Sequence, residues 1–188
     1  FINATTGFVT GDMGVVCKTT NAGLNWTPIN TGTNHSFECV YFLDESTGFA
    51  GGMNQKLFRT VNGGLNWSQV TSVTSSVKDI LFVNANTGFT ANDFGMVFRT
   101  TNGGANWQGT NPPTTGTMQR ILVSGSTIYV GGFDQVNIYS TTDIGTTWNT
   151  IPFAASGQYS TFNIYSMDII GSTILVGGTY GLMNKSTN

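Results

Sequence analysis

Chemistry in this chain would have to come from few side chains, because only 9% of its 188 residues are charged and it holds one histidine. Asp12, Asp93 and Asp134 fall at equivalent hairpin tips of an internal repeat, and two acids flanking a bond could hydrolyse a glycoside. An Asp at a tip is first of all a turn former, since its side chain bonds the backbone just beyond it. His35 has no Ser, Cys or metal-ligand partner at a readable spacing, so it reads as a solvated loop residue. No phosphate loop, nucleotide fingerprint or metal-ligand spacing occurs in the sequence, which implies no cofactor and no metal. The expectation is a chain that is not an enzyme.

The polar residues belong to a repeat that must position everything else. Its clearest copy is Thr100-Thr101-Asn102-Gly103-Gly104-Ala105-Asn106-Trp107, matched at Thr19 to Trp26, Thr60 to Trp67 and Thr141 to Trp148. The tryptophan spacings, 67−26, 107−67 and 148−107, are 41, 40 and 41 residues, a period of propeller blades rather than helical repeats. In each copy an Asx (Asn21, Asn62, Asn102, Asp143) can accept backbone amides, and a Gly two positions later (Gly23, Gly64, Gly104, Gly145) supplies positive φ. Trp26, Trp67, Trp107 and Trp148 then open the next strand, and each is expected to be largely buried over its own turn. The motif reads as a structural staple.

The pattern Thr-x-Asn/Asp-x-Gly-x-x-Trp resembles the Asp box of the bacterial neuraminidase-repeat β-propellers, with Asn for Asp in three of the four complete copies. The flanks, Ser46-Thr47-Gly48-Phe49-Ala50-Gly51-Gly52 and Leu57-Phe58-Arg59-Thr60, resemble more narrowly the propellers of the photosystem II stability and assembly factor type. This resemblance implies fold rather than activity, because Asp boxes serve sialidases, other glycosidases, peptide-binding receptors and assembly factors alike. A sialidase site would need three arginines converging on a carboxylate and a Tyr nucleophile with a Glu partner. Of Arg59, Arg99 and Arg120, the first two occupy one repeat position, shared with Lys18 and Lys185. Only Glu38 and Glu45 are glutamates, so a sialidase is a poor fit.

The fold class is therefore all-β, a β-propeller of four-stranded antiparallel blades. Repeats run over about 1–30, 36–70, 77–110, 118–152 and 163–188, about four and a half blades in a single propeller region spanning 1–188. Strands in the second blade are expected at Phe37 to Leu43, Gly48 to Gly51, Lys56 to Val61 and Asn66 to Val70. Runs such as Ile80-Leu81-Phe82-Val83 are apolar on both faces and suit a strand packed between neighbouring blades. The first repeat lacks most of its opening strand and Asn188 stands in an unfinished box, so the chain reads as a fragment of a larger ring.

Cys17 aligns with Phe58, and Cys39 with Ile80, positions that want a buried apolar group, so free buried thiols are expected rather than a disulfide. A net charge of −2 gives no footprint for nucleic acid, and no apolar run reaches the length of a membrane-spanning helix. What stands out is the tip between the second and third strands of each blade, where Met13, Met53, Phe94, Phe133 and Tyr180 all lie. In a propeller these tips share a face with the loops between blades, here Asn30 to Ser36, Thr71 to Ser76, Thr110 to Thr117 and Phe153 to Thr161. Apolar tips on one face make a recognition surface; alternatively each folds back over its own blade. Lys18, Arg59, Arg99 and Lys185 form a second candidate stripe.

The reading is a secreted or cell-surface module for protein or glycan recognition, or a spacer, with no nucleic acid, no membrane insertion and further blades or domains of the same parent as partners. The alternative is part of a glycoside hydrolase propeller whose catalytic residues lie outside these residues.

Overall fold

The computed structural model describes residues 1–133, 137–152, 163–171, 173–179 and 183–187. Among the described residues the strands form antiparallel sheets, and no helix is long and apolar enough to cross a membrane. The first sheet has three strands, β1 (Gly7–Thr10), β2 (Val15–Thr19) and β3 (Thr27–Asn30). The second is β4 (Phe37–Phe42), β5 (Gly48–Gly52), β6 (Lys56–Thr60) and β7 (Ser68–Gln69). The third is β8 (Val77–Phe82), β9 (Gly88–Asn92), β10 (Val97–Thr100) and β11 (Gln108–Gly109). The fourth is β12 (Met118–Ser124), β13 (Thr127–Gly132), β14 (Asn137–Thr141) and β15 (Asn149–Pro152), and the fifth is β16 (Ile164–Ile170), β17 (Thr173–Gly178) and β18 (Met183–Thr187). Each is a meander in chain order, the blade expected from the repeat.

The chain forms two compact units, Phe1–Gly88 with Thr100–Trp107, and Phe89–Arg99 with Gln108–Asn188. In the first, Val16, Phe37, Ala50 and Phe58 form a core against which Phe8, Ile29 and Trp67 pack. In the second, Tyr129, Ile138, Ile164, Met167, Ile174 and Val176 do the same.

The strand buried on both faces is not the one its hydrophobicity suggested. The Ile80-Leu81-Phe82-Val83 run alternates between buried and half-exposed and ends on an exposed Val83, whereas all five residues of β5, Gly-Phe-Ala-Gly-Gly, are buried. Close approach of the next blade explains this, because a Cβ on Gly51 would come within 2.6 Å of Val77 Cγ1. Small side chains, not large ones, mark the tightest interface.

The outer strands also start later than expected, after the Trp rather than at the Asn before it. In the second blade the Asn66 amide is taken by Asn62 Oδ1 at 2.9 Å, so the ladder resumes only at Ser68. Cys17 and Cys39 are half-buried rather than buried.

Candidate partner-binding site

Each complete box is built on a threonine that the sequence reading left unassigned. Thr100 Oγ1 accepts the Gly104 amide at 3.0 Å and the Asn102 amide at 3.3 Å, and donates to Asn102 Oδ1 at 3.0 Å. Asn102 Oδ1 in turn accepts the Asn106 amide, four residues on rather than two. Thr19, Thr60 and Thr141 repeat the arrangement, and all four hydroxyl-bearing residues are buried. The signal was present in the sequence, because Thr stands two residues before every box Asx.

The turns are of type I′, with positive φ at both central positions: Ala22 and Gly23, Gly63 and Gly64, Gly103 and Gly104, Ile144 and Gly145. A second Asx corner precedes each of the first three Gly-Phe pairs. Asn3, Asp44 and Asn84 each accept two backbone amides through Oδ1. The corner's glycine is required because the inner strand's aromatic lies on it: a Cβ on Gly48 would stand 2.5 Å from the Phe42 ring.

The box tryptophans are not uniformly buried. Trp107 is 5% exposed, set edge-on to Phe49 of the preceding blade and Phe82 of its own, with its indole donating to Gly104 O at 3.2 Å. Trp67 repeats this on Phe42, which stacks on Phe8 at 3.5 Å, and donates to Gly64 O. Trp26 is 37% exposed and lies edge-on to the exposed Phe1, with ring centroids 6.2 Å apart. Trp148 is half-buried and donates to Thr110 O at 3.0 Å instead of to its own box glycine. In that blade Thr110 Oγ1 bonds Gly145 O, and Val123 stands where the other blades carry Phe42 and Phe82. The tryptophans therefore lock blade to blade, not only hairpin to itself.

At the tips the structure divides the apolar residues. Met13 and Phe94 are each 77% exposed and take positive φ, 58° and 61°, at the first central position of type I′ turns closed by Val15 N to Asp12 O and Met96 N to Asp93 O. Asp12 and Asp93 thus close their turns through backbone carbonyls, the Asp93 carboxylate accepting from Thr117 Oγ1, and Asp134 lies outside the described residues. Met53 is exposed just before the turn at Asn54 and Gln55. Phe133 is half-buried and packs edge-on against Tyr165 at 5.4 Å, across the register shift that interrupts the Ile164 to Ser166 pairing. It has folded onto a neighbour. Tyr180 and the loop from Phe153 to Thr161 lie outside the described residues.

The interblade loops do abut the tips within each unit. Thr31 Oγ1 donates to Gly14 O at 2.7 Å, Phe37 N to Gly11 O, and Thr117 Oγ1 to Asp93 Oδ1. His35 lies in the first of these loops with its ring 6.2 Å from Phe58.

The basic stripe is partly committed to the fold. Arg99 donates to Ile144 O at 2.9 Å, Arg59 lies over the Phe49 ring at 5.9 Å with a buried Nε that has no partner, and Lys18 Nζ sits 5.5 Å over Phe8. Lys185 is exposed on β18, opposite Leu175. Arg120 donates to the neighbouring Gln119 carbonyl, and the described ion pair is Lys78 with Glu38 at 3.1 Å. No group of His, Cys, Asp and Glu among the described residues could hold a metal ion.

Two carboxylates stand where sister repeats carry Asn. Asp143 is held well below the usual carboxylate range, at about 2, by the Thr147 hydroxyl and amide and then the Thr141 hydroxyl. Asp44 is lowered by the Ser46 hydroxyl and then the Thr47 and Ser46 amides.

The family model of the photosynthesis system II assembly factor YCF48 matches residues 1–162. The chain belongs to that family. Among solved structures it is similar to YCF48 bound to D1 peptide, with 20% identity and a TM-score of 0.76 over 99% of this chain. It is similar also to YCF48 from Cyanidioschyzon merolae, with 17% identity and a TM-score of 0.74 over 97% of this chain. An ancestral GH74 enzyme matches at 21% identity and a TM-score of 0.70 over 98% of this chain. The chain spans 63% of each of the two YCF48 chains and 29% of the GH74 enzyme. No curated protein matches in sequence. At these identities the structures share the β-propeller fold, and the YCF48 family match agrees with the assembly-factor flank that the repeats resemble.

Proposed function

We propose that this chain is a non-catalytic, partner-binding propeller module of a secreted or cell-surface protein, and that it meets a protein partner through its hairpin tips. The observation that carries this reading is the conformation of Met13 and Phe94. A type I′ turn takes Asn, Asp or Gly at its first central position at little cost, yet both tips place a large apolar residue there. Strain and solvent exposure are borne by the same side chain, and each tip offers far more exposed apolar surface than the strained Ile144 of the box turn. Met53, exposed beside the next turn, extends the proposal to the second blade, and Tyr180, outside the described residues, joins it by repeat position alone, while Phe133 contributes only the edge that Tyr165 leaves open. The stripe of Lys18, Arg59, Arg99 and Lys185 ranks second, since Arg99 is spent on Ile144 O. A relative solved with a bound peptide supports a protein partner ahead of a glycan.

The experiment selects displayed peptides on the wild-type chain and re-tests them on Met13→Asn with Phe94→Asn, and separately on Arg59→Gln with Arg99→Gln. The tip variant should keep or raise its thermal midpoint, because Asn accepts positive φ readily, and should lose the selected peptides. Peptides that still bind the tip variant but not the arginine variant would move the site to the stripe. A chain that selects no peptide at all would be a spacer, against the proposal.

A further inference from the structure

Asn62-Gly63 and Asn102-Gly103 are the Asn–Gly steps of the sequence, and both fall in box turns. Asparagine before glycine is the step at which a chain most readily loses a side-chain amide, because the following residue has no Cβ to hinder its backbone nitrogen. That nitrogen attacks Asn Cγ, its proton departs with the NH2 group as ammonia, and a succinimide ring closes. Water then opens the ring. Cleavage between Cγ and nitrogen gives Asp, whereas cleavage between the backbone carbonyl carbon and nitrogen gives isoaspartate, in which the chain runs through the former side chain. Water is consumed and ammonia released, with nothing oxidised or reduced.

In the folded box both reacting groups are engaged. Gly63 N–H donates to Ser46 O at 2.8 Å and Gly103 N–H to Asn86 O at 2.9 Å, each a carbonyl of the Asx corner in the same blade. Asn62 Oδ1 accepts the Asn66 amide at 2.9 Å and the Thr60 hydroxyl at 3.0 Å. Asn102 Oδ1 accepts the Asn106 amide and the Thr100 hydroxyl, both at 3.0 Å. The nitrogen cannot shed its proton, nor Cγ turn onto it, until the turn opens, the condition that also governs amide hydrogen exchange. Both asparagines are exposed, so water reaches the ring once it has formed.

The two boxes are not closed equally. Trp107 is buried over the Asn102 box, its amide donates to Ser72 Oγ at 3.2 Å, and the fully buried Phe49 ring fills the space beside Gly104. Trp67 is only half-buried, and a Cβ on Gly64 would meet the half-buried Ile29 side chain at 3.0 Å. Opening the Asn62 box uncovers less buried surface and so occurs more often. We propose that Asn62 and Asn102 are deamidation sites that the folded boxes keep latent, and that Asn62 is converted first.

The products differ in what they do to a blade. Asp143 already fills the box position of the fourth blade, with Oδ1 on the Thr147 amide and the Thr141 hydroxyl, so Asp is an admissible product. It adds a negative charge to a chain of net charge −2. Isoaspartate inserts a methylene into the turn that Thr60 Oγ1 and Gly64 N close, and its carboxylate, carried on Cα, falls short of the Asn66 amide. That box does not reclose.

The test incubates the full chain in mildly alkaline buffer below its thermal midpoint, beside the denatured chain and synthetic peptides covering Thr60 to Trp67 and Thr100 to Trp107. Peptide mass mapping, with isoaspartate resolved chromatographically, follows each site. The two peptides should convert at similar rates. In the folded chain both sites should slow by about tenfold or more, Asn62 ahead of Asn102, and hydrogen exchange of the Gly63 and Gly103 amides should rank in the same order. Thr60→Val should speed Asn62 and leave Asn102 unchanged. Asn62→Asp should keep a midpoint close to wild type at neutral pH, while chains carrying isoaspartate should melt lower. Folded-chain rates equal to those of the peptides, Asn102 level with or ahead of Asn62, or no conversion while the Gly63 amide exchanges would each overturn the proposal.

Discussion

The hydroxyl of Thr100 accepts the amide of Gly104 at 3.0 Å, and every complete box repeats the bond: Thr19 with Gly23 and Thr60 with Gly64 at 3.0 Å, Thr141 with Gly145 at 2.9 Å. A buried hydroxyl thus serves the amide of the very glycine whose conformation makes the turn.

Replacing Thr100 by Val keeps the shape and leaves the buried Gly104 amide without an acceptor, so it should cost about 2 kcal/mol. Asn102→Ala should cost about 1 kcal/mol, because the amide it abandons, Asn106, is exposed and finds water. Chemical denaturation of both variants gives the order, and an equal or reversed pair of values would remove the threonine from the centre of the staple.

Box glycines differ in what lies beyond them. A Cβ on Gly104 would run into the Phe49 ring, while on Gly23 the nearest atom would be 3.8 Å away. Gly104→Ala should therefore cost about 3 kcal/mol, strain and overpacking together, and Gly23→Ala only about 1 kcal/mol from its φ. Comparable midpoints for the two would mean that the blades relax apart easily at Phe49.

Ile144 is a β-branched residue at φ 58° with an exposed side chain, so it bears strain with little burial in return. Ile144→Gly is expected to stabilise the fourth blade by about 0.5–1 kcal/mol. The Arg99 bond uses the backbone carbonyl and should survive, which an Arg99→Gln double variant would check through additivity.

Acid should loosen the fourth blade's box selectively. Asp143 titrates at about 2 in the folded chain, below the ordinary range near 4 for an unfolded Asp. A depressed folded value means that its contribution is complete above about pH 4 and is lost as pH falls from there through about 2. The Asn boxes have no such dependence. Asp143→Asn should flatten the acid limb of a pH–stability curve between about 4 and 2; an unchanged limb would place the loss elsewhere, with Asp44 the next group to test.

The turns, the repeat period and the order of strands were all legible in the sequence, because Asx, Gly and Trp act locally within eight residues and recur four times. The second strands of the second and third blades, β5 and β9, were legible as strands and not as the most buried ones, since at β5 burial comes from a neighbouring blade pressing on Gly51 and not from side-chain hydrophobicity alone. The unequal tryptophans followed from the same cause: Trp26 and Trp107 share a motif, but Trp107 meets Phe49 of the preceding blade as well as Phe82 of its own, and Trp26 lies edge-on to the exposed Phe1. Likewise five apolar tips looked alike along the chain, while Phe133 found Tyr165 and Met13 and Phe94 remained exposed at positive φ. Sequence by itself determined what each repeat does within its own blade, through hydrogen bonds that span a few residues. Only the tertiary structure decided which side chains are covered and which are free to meet a partner, because that depends on residues some forty positions away that one repeat brings against the next.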